Sequence, residues 1–275
     1  MTKCSSVAMF RLLLLILPGL LAACGSTPAP RQPPAIEQAR AADKDARKAL
    51  RDGELLRAQH EFAAALALQQ SLDDTAGAAT TLINLATVTH QLNDDEGALK
   101  WLDRILLEKE PIYPPESRIT AAFRKAVILA DQSRSGEAGQ ALQSADQQCA
   151  GKCALNHSID ALRARLMLQN GDADGALALA LTVSKQSEAG IEEQANALRV
   201  AAAAEEKLAR SAGALQHFQA ALALDRSLGL SARIGEDLNG MARASTRLGR
   251  DQDAAEYARR AVLVSEAHRQ KVPAP

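Results

Sequence analysis

Residues 76–110, AGAATTLINLATVTHQLNDDEGALKWLDRILLEKE, decide how the chain is read. Leu82, Leu85, Ala86, Val88 and Leu92 recur at spacings that place them along one face of a helix. Asn93 and Asp94 interrupt the pattern as turn residues do. Ala98, Leu99, Leu102, Ile105 and Leu106 then rebuild the same spacing in a second helix. Ala86 and Ala98, twelve residues apart, are small enough for two antiparallel helices to approach closely there.

The unit recurs along the chain. The second-helix alanine returns at Ala58, Ala98, Ala138, Ala176, Ala214 and Ala254, in steps of 40, 40, 38, 38 and 40 residues. Twelve residues before each stands another alanine: Ala46, Ala86, Ala126, Ala164, Ala202 and Ala242. The chain is alanine-rich, so one match carries little, but six phased pairs at a near-constant step do not arise by composition. Five residues before each second alanine lie Gly53, Asn93, Ser133, Gly171, Ala209 and Gly249, mostly types that let a chain leave a helix. A period of this length is the mark of a helix-pair solenoid.

The pattern resembles tetratricopeptide repeats (TPRs), with other helix-pair solenoids as the alternative. The family keeps a small residue at its position 8, alanine at 20, a bulky residue at 24 and a small one at 27. Position 24 falls on Phe62, Leu102, Leu142, Ala180, Phe218 and Ala258, and position 27 on Ala65, Ile105, Ala145, Val183, Ala221 and Ala261. The repeat is longer than the family's 34 residues, and the family's aromatic positions 4 and 11 hold small or aliphatic residues, in line with 3% aromatic content. The resemblance implies an all-α chain: a right-handed α-solenoid of about six TPR-like helix pairs, near residues 36–72, 76–111, 115–149, 155–188, 191–228 and 231–270.

The chain begins differently. Lys3 and Arg11 precede an apolar run, Leu12 to Leu21, too short to span a bilayer as a mature helix and suited to a secretory leader. It ends in Leu21-Ala22-Ala23-Cys24, which resembles a bacterial lipobox; the alternative is an ordinary leader with a chance cysteine. A lipobox implies that Cys24 is acylated and becomes the new N-terminus. One acyl chain anchors weakly, whereas several, at about 0.8 kcal/mol per buried methylene, anchor durably. Gly25 rather than aspartate follows, which under the lipoprotein sorting rule points to the outer membrane, facing the periplasm. Residues 25–35, GSTPAPRQPPA, form an extended Pro-rich tether reaching about 30 Å at ~3.1 Å per residue. The expected division is a leader over 1–23, acylated cysteine and tether over 24–35, solenoid over 36–271 and a short disordered tail over 272–275.

Losing Lys3 and Arg11 with the leader takes the basic residues from 32 to 30 against 33 acidic ones, a near balance that argues against nucleic acid as a partner. Asp73 and Asp74 precede the second repeat as candidate helix caps. Trp101, the single tryptophan, reads either as packing over a neighbouring helix or as a partner hot spot. Cys149 and Cys153 lack the further cysteines or histidines of a metal site and the spacing of a redox dithiol. In an exported protein they read as a structural disulfide at the corner between the third and fourth repeats. No separate capping helix follows the sixth repeat, so its second helix is expected to present a polar outer face.

Chemistry-bearing motifs are missing. His60-Glu61 opens like a zinc-protease motif, but Ala64 stands where the second histidine belongs. There is no G-x-S-x-G, no phosphate-binding Gly-rich loop and no phased carboxylate pair, and the acidic residues read as solvated helix faces. The chain is therefore read as non-catalytic, without cofactor or metal.

Function then rests on the surface. In a TPR superhelix the first helices line a concave groove. The resemblance places the groove at Asp43 and Arg47, Ile83 and Thr87, Phe123 and Val127, Ala161 and Arg165, Arg199 and Ala203, and Asn239 and Arg243, with His90 one turn on. Such a groove is apolar in its middle and basic towards its end, and suits an extended peptide or helix with an acidic end. The alternative makes the apolar residues ordinary core and the arginines ordinary surface. The basic and asparagine pairs of chaperone-binding members are not reproduced, since Asn84 follows Ile83. Resemblance and leader together imply a periplasmic adaptor for protein or peptide partners, similar to TPR lipoproteins that gather cell-wall enzymes. An assembly factor or pilotin for an outer-membrane barrel, secretin or pilus system is the alternative. The sequence leaves the oligomeric state open.

Overall fold

The computed structural model describes residues 33–271, with side chains as far as Ala267. The leader, Cys24, most of the tether and the tail lie outside them. Twelve helices and no strand occur among the described residues, in six consecutive pairs. They are α1 (Pro34–Arg51) with α2 (Leu55–Ser71), α3 (Thr75–Gln91) with α4 (Asp95–Leu107), and α5 (Pro115–Asp131) with α6 (Ser135–Cys149). Next come α7 (Asn156–Gln169) with α8 (Ala173–Ser184), α9 (Ile191–Lys207) with α10 (Ser211–Leu228), and α11 (Ser231–Arg247) with α12 (Asp251–Lys271). From α2 onward each helix packs on the next, and first helices also meet first helices, α3 with α5, α5 with α7, α7 with α9 and α9 with α11. This is the nearest-neighbour stacking of an α-solenoid.

The turn inside each pair is the same device six times. Gly53, Asn93, Ser133, Gly171, Ala209 and Gly249 all adopt positive φ. The next residue's N–H then donates back to a carbonyl five residues earlier, as in Glu54 to Ala49, Asp94 to Thr89 and Arg250 to Ser245, at 2.9–3.0 Å. That closes the carbonyls left open at a helix end. Only half of these residues are glycine, so the stack holds Asn93, Ser133 and Ala209 in a left-handed conformation that L-residues resist.

Three helix-start signals escape periodicity. Asp74, Asp94 and Asp172 cap α3, α4 and α8 by accepting from the N–H of Gly77, Gly97 and Gly175, each at 2.9 Å. A Cβ on any of these glycines would fall 2.2–2.3 Å from the capping carboxylate, so Asp-x-x-Gly is a start signal here. Asp73, the other candidate cap, takes the left-handed turn position instead.

The alanine register appears directly in burial. Ala46, Ala58, Ala98, Ala126, Ala138, Ala164, Ala176, Ala202 and Ala214 are 0% exposed, Ala86 is 1% and Ala254 8%. Ala242 alone is half-buried; no described helix follows α12 to cover that side. The bulky positions Phe62, Leu102, Leu142 and Phe218 and the small positions Ala65, Ile105, Ala145, Val183, Ala221 and Ala261 are buried, all at 4% exposure or less. The last helix is mixed where a polar outer face is expected: α12 exposes Gln252, Glu256, Arg259 and Glu266, but also Ala255, Ala258, Val262 and Leu263. Cys149 and Cys153 are bonded across the α6–α7 corner, their Cα atoms 5.0 Å apart.

Candidate partner-binding surface

The first-helix surface begins with a cleft of about 550 Å3 between α1, the end of α2 and the start of α3. Ile36, Ala39, Leu72 and Ala76 supply apolar wall, and Arg40, Asp43, Arg47 and Thr80 supply polar wall. Two of the expected groove residues therefore meet here. Arg47 holds the Asp43 carboxylate at 2.8 Å, one helical turn away, leaving a pair that is half-exposed at Arg47. Gln69, buried beneath the cleft, has its Oε1 without a donor among the described residues.

The middle of the surface is less open than the resemblance implies. Ile83, Phe123 and Val127 are half-buried and packed against the apolar cluster shared by the first pairs. Thr87 returns its hydroxyl to the Ile83 carbonyl at 3.0 Å, and Ala161 is buried. What α3, α5 and α7 present instead is a polar ladder across their C-terminal ends. His90 Nδ1 meets Asp95 at 2.6 Å, its Nε2 faces Asp131 at 3.8 Å, and Arg165 binds Asp131 at 2.6 Å. The His90 hydrogen bond holds the Asp95 carboxyl below the usual carboxylate range, with help from Gln132.

The basic end is corrected by the structure. Arg199 is not a groove cation: its side chain is 11% exposed and lies between Asp225 of α10 and Asp237 of α11, both at 0%. The same guanidinium also donates to Asn196. These two aspartates are equally not solvated helix faces, as the sequence reading had all acidic residues. Asp225 Oδ1 and Asp237 Oδ2 find no donor among the described residues. Burial pushes the Asp237 carboxyl up to about 7, against the pull of Arg199, and a hydrogen bond with Asp225 adds to the rise. A protonated Asp237 carboxyl is a donor that the neighbouring Asp225 can accept. Arg243 does reach the surface, beside Glu206 at 3.3 Å and over the Phe218 ring. Asn239 is exposed and Ala203 half-buried.

On the opposite side, Trp101 belongs to the residues packed against the core, its ring 5.6 Å from the Arg104 guanidinium carbon. It edges a shallow hollow with Gln59, Thr89, Asp94 and Lys100. Among the described residues no group of three or more histidine, cysteine or acidic side chains is arranged to hold a metal ion. No described helix is long and apolar enough to cross a membrane.

No protein-family profile and no curated protein sequence matches the chain. Solved structures do. The apo form of RapI superposes with a TM-score of 0.68 at 15% identity, covering 86% of this chain and 85% of that one. An ATPase of the STAND class from Pyrococcus horikoshii, with a tetratricopeptide repeat sensor, gives 0.59 at 17% over 87% of this chain and 39% of its own. A tetratricopeptide repeat protein from Parabacteroides merdae gives 0.51 at 14%, over 86% and 81%. The chain is thus an all-α solenoid of TPR-like pairs. Likeness at this identity establishes the fold and leaves function to the surface.

Proposed function

We propose that the protein is a non-catalytic adaptor that binds an extended segment of a partner protein in the cleft at its first two helix pairs. The observation that carries this reading is the cleft itself: a concave space of about 550 Å3 with apolar and charged walls, the mixture that peptide grooves use. Asp43 and Arg47 orient the ligand, and Ile36 and Leu72 receive its apolar side chains. Ile83, Thr87, His90, Phe123 and Val127 continue the track, and Arg165, Asn239 and Arg243 edge it. Acylated Cys24 anchors the chain to the outer membrane by this reading, and the Pro-rich tether lets it face partners in the periplasm, cell-wall enzymes among them.

The groove is tested by a photo-crosslinking residue placed in cells at Thr80 or at Gln140, on the far layer. Thr80 should give a discrete adduct that Arg47→Glu removes, and Gln140 should give none. Adducts from Gln140 alone, or from neither, contradict the proposal. The anchor is tested by Cys24→Ala, which should release the protein from membranes; an unchanged membrane fraction refutes it.

A further inference from the structure

The two ends of the stack carry complementary faces. In α11 Asp237 meets Arg199 of the preceding pair, and the same repeat position in α3, α5, α7 and α9 is Thr81, Ala121, Ile159 and Ala197, all five being 0% exposed. The same position in α1 is Ala41, which is exposed, beside half-buried Ala42. At the other end, the α12 positions matching Phe62, Leu102, Leu142 and Phe218 and matching Leu66 and Leu222 are Ala258 and Val262. The internal residues are at most 5% exposed, whereas Val262 is 54% exposed.

Charge follows the same register. At the joint between α4 and α5, Asp103 and Lys125 form an ion pair of 2.5 Å. The α12 counterpart of Asp103 is Arg259, and the α1 counterpart of Lys125 is Asp45. The signs are exchanged, so an α12 end and an α1 end attract each other as the internal joint does. Both groups are available. Arg259 bonds its own helix at the Ala255 carbonyl, 3.4 Å away, and Asp45 makes no ion pair among the described residues, feeling Arg57 only at longer range. Gln38 stands where Arg118 donates to the Ile105 and Leu106 carbonyls of the preceding helix, at 3.3 and 3.4 Å, and its amide is a donor as well.

We propose that the protein binds a second copy of itself head to tail, the open face of α12 on one copy receiving the open face of α1 on the next. The contact repeats the joints inside the chain. It is heterologous, so it leaves one free end of each kind and grows into longer assemblies instead of closing as a dimer. Small side chains on both faces let the helices seat closely, and the Arg259–Asp45 pair fixes the register.

Sedimentation velocity of the full chain in detergent, across a dilution series, tests this. The mass should climb with concentration past that of two copies. Asp45→Arg or Arg259→Asp should each weaken association about tenfold or more, because like charges then face each other. Mixing the two variants restores it, since each supplies the partner that the other needs, and so does the double exchange in one chain. A mass that stays at one copy, a plateau at two, or association indifferent to both reversals overturns the proposal.

Discussion

Around α3–α5 the space between helices is filled by Phe62, Leu82, Leu85, Leu102, Ile105 and Leu129, all at most 1% exposed. Their apolar cluster reaches from Ala46 to Leu166. Around α8–α10 much of that space holds Ala176, Ala180, Ala195, Ala197, Ala201 and Ala204 beside Val183, Leu215 and Phe218, and the apolar contacts divide into smaller clusters. The frame of helices and left-handed turns is common to both. The first region buries large side chains, each worth about 1.5–3 kcal/mol of transfer free energy. The second gains close backbone approach and less apolar area, and it adds a charged cluster whose desolvation offsets much of its attraction. One region is therefore vulnerable to cavities, the other to overpacking and to loss of a charge.

The largest effect should come from the charged cluster. Arg199→Met leaves Asp225 and Asp237 buried without their cation and should cost about 3–5 kcal/mol in urea unfolding at neutral pH. A loss below about 1 kcal/mol would mean that water already solvates the site. Leu102→Ala should cost about 2–5 kcal/mol through the cavity it leaves in the first region. Opposite in kind, Ala202→Leu and Ala164→Leu should cost about 1–3 kcal/mol by forcing a tight seam apart. If both leave the melting temperature unchanged, the contrast between the two regions is broken.

Smaller effects sharpen it. Gly240 sits mid-helix in α11, where alanine would ordinarily stabilise by about 1 kcal/mol. A Cβ there would fall 2.5 Å from the Phe218 ring, so Gly240→Ala should instead destabilise, by about 1 kcal/mol net. Asp74→Ala removes a cap on α3 and should cost about 1 kcal/mol in the same denaturation assay.

Much of the fold is legible because small residues at a fixed period leave few ways to pack. The Ala46 and Ala58 series, the turn residues from Gly53 to Gly249 and the bulky position at Phe62 and Leu102 all read through. The site was less legible. A groove position says which way a backbone site points, not whether a long side chain turns inward, so Arg199 read as surface. A signal was present: Asp237 occupies the position held elsewhere by Thr81, Ala121, Ile159 and Ala197, an inward site where a carboxylate needs a partner. The apolar part of the exposed α12 face is not legible because Ala255, Ala258 and Val262 are also what a buried helix face looks like in sequence.

The Asp237 carboxyl in the Arg199 cluster carries the contrast between the regions, and its pH dependence has a definite sign. Asp237 is raised from an ordinary 3.8 to about 7 in the folded protein. Its contribution to stability is therefore complete below the ordinary carboxylate range and is lost as pH rises through about 7. Hydrogen exchange, corrected for intrinsic rates and followed helix by helix from acid to neutral pH, reads this directly. Protection in α9–α11 should fall across that interval while α3–α5 hold theirs, and Asp237→Asn should abolish the difference. An equal change in both regions, or a loss in α9–α11 on acidification instead, would contradict the account.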